Sequence, residues 1–518
     1  LSSGVRVRIP FGDAFGPRFD AMRTRFAQSS DALGAVLTGD ALDGLVAGYA
    51  NDLARLTTPV LLDEFRRVPG RSWLDPASTV AHDRFVGSLQ EGGLGRLFER
   101  FPELEVLVSC LETRWADRVE AMVGHIVADG PVLEQRFAVR PPFVAATPVG
   151  DTGVVLSDGA GRRVVYKDRR QTMEVAFTTL LGELARRSFS RSLYVPAHWG
   201  AEDHGWAEFV TPPPRPDPAM LASQMWEAGL LLAVVHALGG GDLHESNVRG
   251  LGPHFVVLDA EKVVRPRVPT ERPDEHSVLS SGLLPVAGLF ERCGIATGYW
   301  TERPRPWANA GTDAVRERPV ATWTTGVRER VVRGVRANAG VIAAELTAGF
   351  REGYRSIRAD GLPLELFAGC RPRVILRNSM HYHRALHRSV QPDALGSAAT
   401  RTEVFESLAR RVPPAIENRP DLADRVGRIE VDALRAGVLP RFCAVADERE
   451  LRHDDDVIGA LFVESGLARA RRIVGGMSDA ACEAQCRIID AAVAALASGV
   501  EHSDVEVLVA RPLDALAG

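Results

Sequence analysis

Several side chains able to do chemistry crowd into one short stretch, Gly241 to Glu261, reading GDLHESNVRGLGPHFVVLDAE. Asp242, His244 and Asn247 fall on one tight turn. The apolar run His254-Phe255-Val256-Val257-Leu258 then delivers Asp259 and Glu261. An aspartate and an asparagine a few residues apart, followed by a strand ending in a second acid, are how phosphoryl-transfer enzymes assemble a base and a metal site. Such a reaction needs a hydroxyl held in line with a phosphate, a carboxylate to take its proton, and hard oxygen ligands for Mg²⁺. Asp242 suits the base; Asn247 and Asp259 suit the metal. A plain turn between a buried helix and a buried strand needs fewer polar groups than this.

A second element lies upstream in GRRVVYKDRR, residues 161–170, where Val164 and Val165 read as strand and Lys167 follows. A lysine on a strand ahead of an acid turn is what a kinase-like site uses to hold ATP phosphates. A surface lysine on an edge strand is commoner in general. Here, however, Lys167 and Lys262 are the only lysines in the chain, which otherwise uses arginine for its cations. A retained lysine marks a place where a compact ammonium is required.

The elements that must position these groups are legible in outline. Residues 1–135 carry apolar residues at helical spacing, as in Asp40 to Leu56 and Leu104 to Val127. From about residue 136, glycines punctuate short β-like runs, Val154 to Leu156 and Val164 to Tyr166, and a helix Thr172 to Arg187 follows. Trp206 to Val210 reads as a strand running into Pro212-Pro213-Pro214, a stiff connector suited to a hinge between lobes. Leu221 to Leu238 reads as a buried helix stopped by Gly239-Gly240-Gly241. Residues 300–345, polar with interspersed Arg and Trp, read as a segment containing a mobile activation loop. A helix is expected over Ser478 to Leu496.

Composition sets bounds. A chain of 518 residues with 45% hydrophobic and 25% charged residues has a large core available. The net charge of -5 and the scattered arginines argue against a nucleic-acid binder and against a polybasic membrane anchor. The six cysteines show no CxxC pair and none adjoins a histidine, so no zinc site is expected. The N-terminal stretch has no apolar signal-peptide core, and Ala228 to Val235 is too short to span a bilayer. A cytoplasmic protein with no membrane partner is the expectation.

These motifs, in order, resemble the dehydratase domain of class II lanthipeptide synthetases. The family's Tyr-Lys-Pro-Arg element is similar to Tyr166-Lys167-Asp168-Arg169, its Gly-Trp-x-Glu-Phe strand to Gly205-Trp206-Ala207-Glu208-Phe209, its Asp-x-His-x-x-Asn turn to Asp242, His244 and Asn247, and its Asp-x-Glu to Asp259 and Glu261. Ser277 to Pro285, Arg373 to Ser379 followed by Tyr382, Leu439 to Phe442 and the Glu483 to Asp490 helix extend the likeness over about residues 135–495. Three departures stand out. The family's proline after the lysine is Asp168, its threonine is Ser379, and its Asp-x-His element ahead of the lysine is missing from the loop Pro148-Val149-Gly150-Asp151-Thr152-Gly153. His502 is the single candidate zinc ligand after Leu496, so a stand-alone dehydratase without a cyclase domain is expected.

The resemblance implies an α+β fold with a two-lobed, lipid-kinase-like core. Residues 1–135 would be an N-terminal helical region, 136–212 the N-lobe, 213–395 the C-lobe and 396–518 a C-terminal helical region. It implies that Ser and Thr of a ribosomally made precursor peptide are phosphorylated with ATP and Mg²⁺, and that phosphate is then eliminated. Lys167, Arg169 and Glu208 would hold ATP, Asn247, Asp259 and Glu261 the metal, and Asp242 and His244 would act in phosphorylation. Arg373 and Ser379 would act in elimination, where a guanidinium neutralises the departing phosphate. A separate cyclase would be a partner. Two other readings stay open: a kinase that stops at the phosphorylated product, and a non-catalytic peptide-binding scaffold.

Overall fold

The computed structural model describes residues 9–150, 152–211, 218–272, 276–286, 292–299, 306–318 and 320–499. Asp151, the connector 212–214, residues 300–305 and His502 lie outside them. The helical periodicity of the N-terminal region becomes α1 (Gly16–Gln28), α2 (Leu33–Val36), α3 (Gly39–Arg66), α4 (Val80–Ser88), α5 (Leu94–Arg100), α6 (Pro102–Ala128) and α7 (Gly130–Phe137). Helix α3 runs past the expected end at Leu56 and through Pro59, because Val60, Leu61, Leu62 and Phe65 keep its apolar face buried.

A five-stranded antiparallel sheet follows, built from β1 (Phe143–Val149), β2 (Gly153–Asp158), β3 (Arg163–Lys167), β4 (His198–Gly200) and β5 (Gly205–Glu208), in the order β1-β2-β3-β5-β4. Helix α8 (Thr172–Ala185) connects β3 to β4. Side chains alternate across a strand. Val164 and Tyr166 thus enter one core with Val154, Leu156, Trp206 and the residues of α3 and α6, while Lys167 points to the other face. The helical region 1–135 and the sheet therefore share a single core and are not separate units.

The second core is built on α9 (Pro218–Leu238), which is buried nearly all round as its composition demands. The hairpin β6 (Val248–Leu251) and β7 (His254–Val257) and a small hairpin, β8 (Trp307–Ala308) with β9 (Arg316–Glu317), precede α10 (Val320–Asp360). Glycines let α9 and α10 cross closely. A Cβ on Gly349 would lie 1.9 Å from Trp226 O, and one on Gly229 would lie 2.0 Å from Leu346 O. The expected activation loop is corrected here: residues 320–345 form the first part of a 41-residue helix. Val327, Val331, Val335, Ile342, Leu346, Phe350 and Tyr354 line its buried face at helical spacing.

The C-terminal part holds β10 (Arg373–Val374), α11 (Ser379–Ser389), α12 (Ala398–Ala409), α13 (Pro420–Arg435), β11 (Phe442–Cys443), β12 (Glu450–His453), β13 (Asp456–Ala460), α14 (Gly466–Gly475) and α15 (Asp479–Ser498). Region 396–518 is thus not purely helical. Its three strands join β10 in a four-stranded sheet, ordered β10-β11-β12-β13, whose inner residues, among them Val374, Phe442, Leu451 and Ile458, pack on Ile416, Leu422 and Val426. Helix α15 packs into the α9–α10 core. Among the described residues one helix, Met220–Leu238, is long and apolar enough to cross a membrane, and 83% of it is buried inside the protein.

Candidate functional site

The glycine stop after α9 is a requirement of packing. A Cβ on Gly240 would meet Val263 O at 2.3 Å, and one on Gly241 would meet Ser280 O at 2.6 Å. Asp242 follows with φ at 75°, a left-handed conformation that a short polar residue tolerates. Its carboxylate Oδ2 lies 2.8 Å from Lys262 Nζ. Asn247 closes the turn: its Nδ2 donates to Asp242 O at 2.8 Å, and its own carbonyl accepts from Leu258 N at 2.8 Å. His244 Nδ1 lies 3.3 Å from Glu245 Oε2, and its Nε2 is 3.8 Å from Asp242 Oδ1.

Lys167 reaches this unit from the sheet, its Nζ donating to Leu258 O at 2.9 Å beside Asp259. Arg169, two residues on, joins three acids: Nη2 lies 2.6 Å from Glu174 Oε1 and 2.9 Å from Asp259 Oδ2, and Nη1 lies 3.5 Å from Glu261 Oε2. Glu174 sits in the first turn of α8, and its second oxygen has no hydrogen-bond partner among the described residues. Burial raises the pKa of Glu174 against the pull of Arg169. Burial also works against ionised Asp259, but Arg169 and Lys167 outweigh it and hold that carboxyl well below its usual range. Buried His198 faces the same cations. Desolvation first, and Lys167 second, lower its pKa to about 3.

Arg373 joins the cluster across 112 residues of sequence. Its backbone N donates to Glu261 O at 2.9 Å, and its Nη1 lies 2.7 Å from Glu261 Oε1. Arg441, which precedes β11, lies 3.0 Å from Glu261 Oε2. Three arginines therefore surround the Glu261 carboxylate, which is the hub of an ion-pair network with both of its oxygens engaged. Burial and Asp259 oppose its charge, and Arg169, Arg373 and Arg441 hold its pKa below the usual value nonetheless.

Two expected residues stand apart. Glu208 uses one oxygen to accept from Tyr194 OH and the other to accept from Ala197 N, so its carboxylate ties the chain ahead of β4 to the end of β5. Ser379 opens α11, and among the described residues no hydrogen bond joins it to the cluster. Its neighbours Arg377 and Tyr382 turn instead to buried Glu430. The sequence reading did not name Glu174, Lys262, Arg441 or His198 as site residues. Lys262 carried a signal in its rarity, and Glu174 in being the acid of the first turn after the lysine strand.

The donors Asp242, Asn247 and Asp259 are all oxygen, the chemistry a hard cation requires. Lys167 and Arg169 beside them are the groups that bind phosphate. No curated protein matches the chain. A family model described as a domain of unknown function (DUF4135) matches residues 101–444, from the start of α6 through β11, and so takes in every residue of the cluster. With well over half its length matched, the chain belongs to this DUF4135 family, whose domain is found in lanthipeptide synthetase-like proteins.

Proposed function

We propose that the protein is a lanthipeptide-type dehydratase. On this reading it phosphorylates Ser and Thr of a ribosomally made precursor peptide and then eliminates phosphate, leaving dehydroalanine or dehydrobutyrine. The observation that carries the reading is the meeting of Lys167, Arg169 and Glu174, from the sheet and its crossing helix, with Asp242, Asn247 and Asp259 on the α9–β7 unit. A strand lysine, an acid on the next helix, a turn Asp and Asn, and a strand-end Asp are the parts of a two-lobed kinase site. The sheet would be one lobe and the α9–α10 body the other.

ATP with Mg²⁺ would supply the phosphoryl group, held by Lys167 and Arg169 on the phosphate side and by Asn247 and Asp259 on the metal side. Asp242 accepts the hydroxyl proton as the peptide oxygen bonds to phosphorus and the bond to ADP breaks. Lys262, at 2.8 Å, orients that carboxylate. In the second step a base takes the Cα proton, the C–H electrons form the Cα=Cβ double bond, and phosphate leaves with the Cβ–O electrons. Arg373, beside the same cluster, stabilises the charge on the departing group.

The kinase that stops at the phosphorylated product has one observation in its favour: among the described residues no hydrogen bond joins Ser379 to the cluster. Mass spectrometry of a co-expressed Ser/Thr-rich peptide decides between them. Loss of one water per site supports the dehydratase, and retained phosphate supports the kinase. No change in mass, or an unchanged result with Asp242→Asn, overturns the site assignment.

A further inference from the structure

On the helical side of the sheet, away from the Lys167–Asp259 cluster, two histidines and an aspartate meet. His125, in the last turn of α6, and His204, just ahead of β5, stack with ring centroids 3.5 Å apart and planes 3° from parallel. Asp203 faces both rings. Its Oδ1 lies 2.7 Å from His204 Nδ1 and its Oδ2 lies 3.6 Å from His125 Nε2. One ligand atom from each residue falls within 4.8 Å of the others.

The far nitrogens of both rings are already engaged. His204 Nε2 lies 2.7 Å from Asp129 Oδ2, which also accepts from Trp206 Nε1 at 2.7 Å. His125 Nδ1 lies 2.9 Å from Tyr166 OH. Carboxylate oxygens thus face both nitrogens of His204, and at 2.7 Å a proton or a cation lies between Nδ1 and Asp203 Oδ1. An outer carboxylate or hydroxyl that fixes the tautomer of each histidine is the arrangement that supports metal-binding imidazoles.

We propose that His125, Asp203 and His204 bind one divalent transition-metal ion, with Zn²⁺ the best match to two imidazoles and a carboxylate. Bonds of about 2.0–2.2 Å require Asp203 to swing outward and the His125 ring to tilt out of the stack. The Asp203 side chain is 72% exposed and the His125 side chain 21%, so both have room. Solvent fills the remaining position. The site uses no cysteine, and its ligands come from positions far apart in sequence, so cysteine spacing could not reveal it. Gly205, next to His204, pairs with Lys167 across β5 and β3, and Tyr166 precedes Lys167. The ion therefore clamps α6 to the strand ends that carry the lysine of the main cluster.

The test uses the full chain, stripped with chelator and dialysed against Zn²⁺ with excess Mg²⁺ present. Metal per chain is read by elemental mass spectrometry, and stability by thermal melting. The parent should take up one Zn²⁺ with a rise in Tm of several degrees. Asp203→Asn and His125→Gln should each bind at least tenfold more weakly and lose the rise. Asp129→Asn, which alters the contacts to the outer nitrogen of His204 and to Trp206 Nε1 but removes no ligand atom, should weaken binding about 10–100-fold. Circular dichroism of the metal-free variants checks that each is folded. A parent that binds no Zn²⁺ overturns the proposal. So do folded variants that bind like the parent, or loss of the ion on Cys482→Ser, which would move it to the Cys482–Glu483–Cys486 group on α15.

Discussion

His198 gives a direct test of how the lysine-bearing sheet meets the acid turn. It opens β4 with 3% of its surface exposed. Burial, and next the Lys167 ammonium, lower its pKa to about 3. In the unfolded chain the ring returns to about 6.5. Between those values the unfolded state binds a proton that the native state refuses, so stability falls as pH drops through that window. Above pH of about 6.5 both states are neutral and the group contributes nothing. Linkage over the interval from about pH 7.5 to about pH 5 gives a loss of about 2 kcal/mol, large against a typical total of about 5–15 kcal/mol. The perturbation is His198→Gln, which stays neutral throughout. Urea unfolding of parent and variant across this range should show the variant gaining about 2 kcal/mol relative to the parent as pH falls. Buried His236 and His276, whose pKa values burial also lowers, titrate in both proteins and cancel. A difference that does not change with pH would refute a neutral, enclosed His198. Adding Lys167→Met should reduce the slope only modestly, because burial is the larger cause.

Other outcomes follow from packing and charge. Gly349→Ala sets a Cβ 1.9 Å from Trp226 O and should destabilise the protein by about 3 kcal/mol, read as a lower urea midpoint with an unchanged slope. Lys262→Met removes a charge-assisted bond to Asp242 and should slow phosphate gain by the peptide by roughly one to two decades, for about 1.5–3 kcal/mol. Lys262→Arg should recover part of that rate, and a fully active Lys262→Met would leave the lysine outside the reaction. Arg373→Ala should let phosphopeptide accumulate with elimination slowed by roughly two to three decades, for ~2–4 kcal/mol. Dehydration at the parent rate would assign Arg373 to structure alone.

The helices and strands that hold the site were legible where one period dominated. The run Val164-Val165 before Lys167 became β3, and the apolar run before Asp259 became β7. Reading failed where polar residues masked a stripe. Arginines between Val327, Val331 and Val335 made the start of α10 look like a loop. Short strands failed for another reason. Arg373–Val374 and Phe442–Cys443 are two residues each, too short for alternation to register, and they exist because they pair with each other. The Arg441 contact to Glu261 hangs on that pairing. No local pattern announces a residue brought in from 180 positions away.

The charges of the cluster are arranged for exchange more than for stability. Asp242 is held by Lys262, Asp259 by Arg169, and Glu261 by Arg373 and Arg441. Buried ion pairs return little net stability once desolvation is counted, so such a density of them is a poor way to hold a fold. A ligand carrying both signs, as a metal-bound polyphosphate does, can replace both members of a pair without leaving either charge bare. On the proposed reading, Arg169 then moves from the Asp259 carboxylate to phosphate oxygens while Asp259 turns to the cation. Glu174, 2.6 Å from the same guanidinium nitrogen, keeps Arg169 in place during the exchange. The two lysines fit this account. Each makes a single short contact to the turn–strand unit, Lys167 to Leu258 O and Lys262 to Asp242. A compact ammonium does this with one donor, whereas a guanidinium fork would need a second acceptor. That requirement explains why a chain that otherwise relies on arginine keeps both of its lysines here.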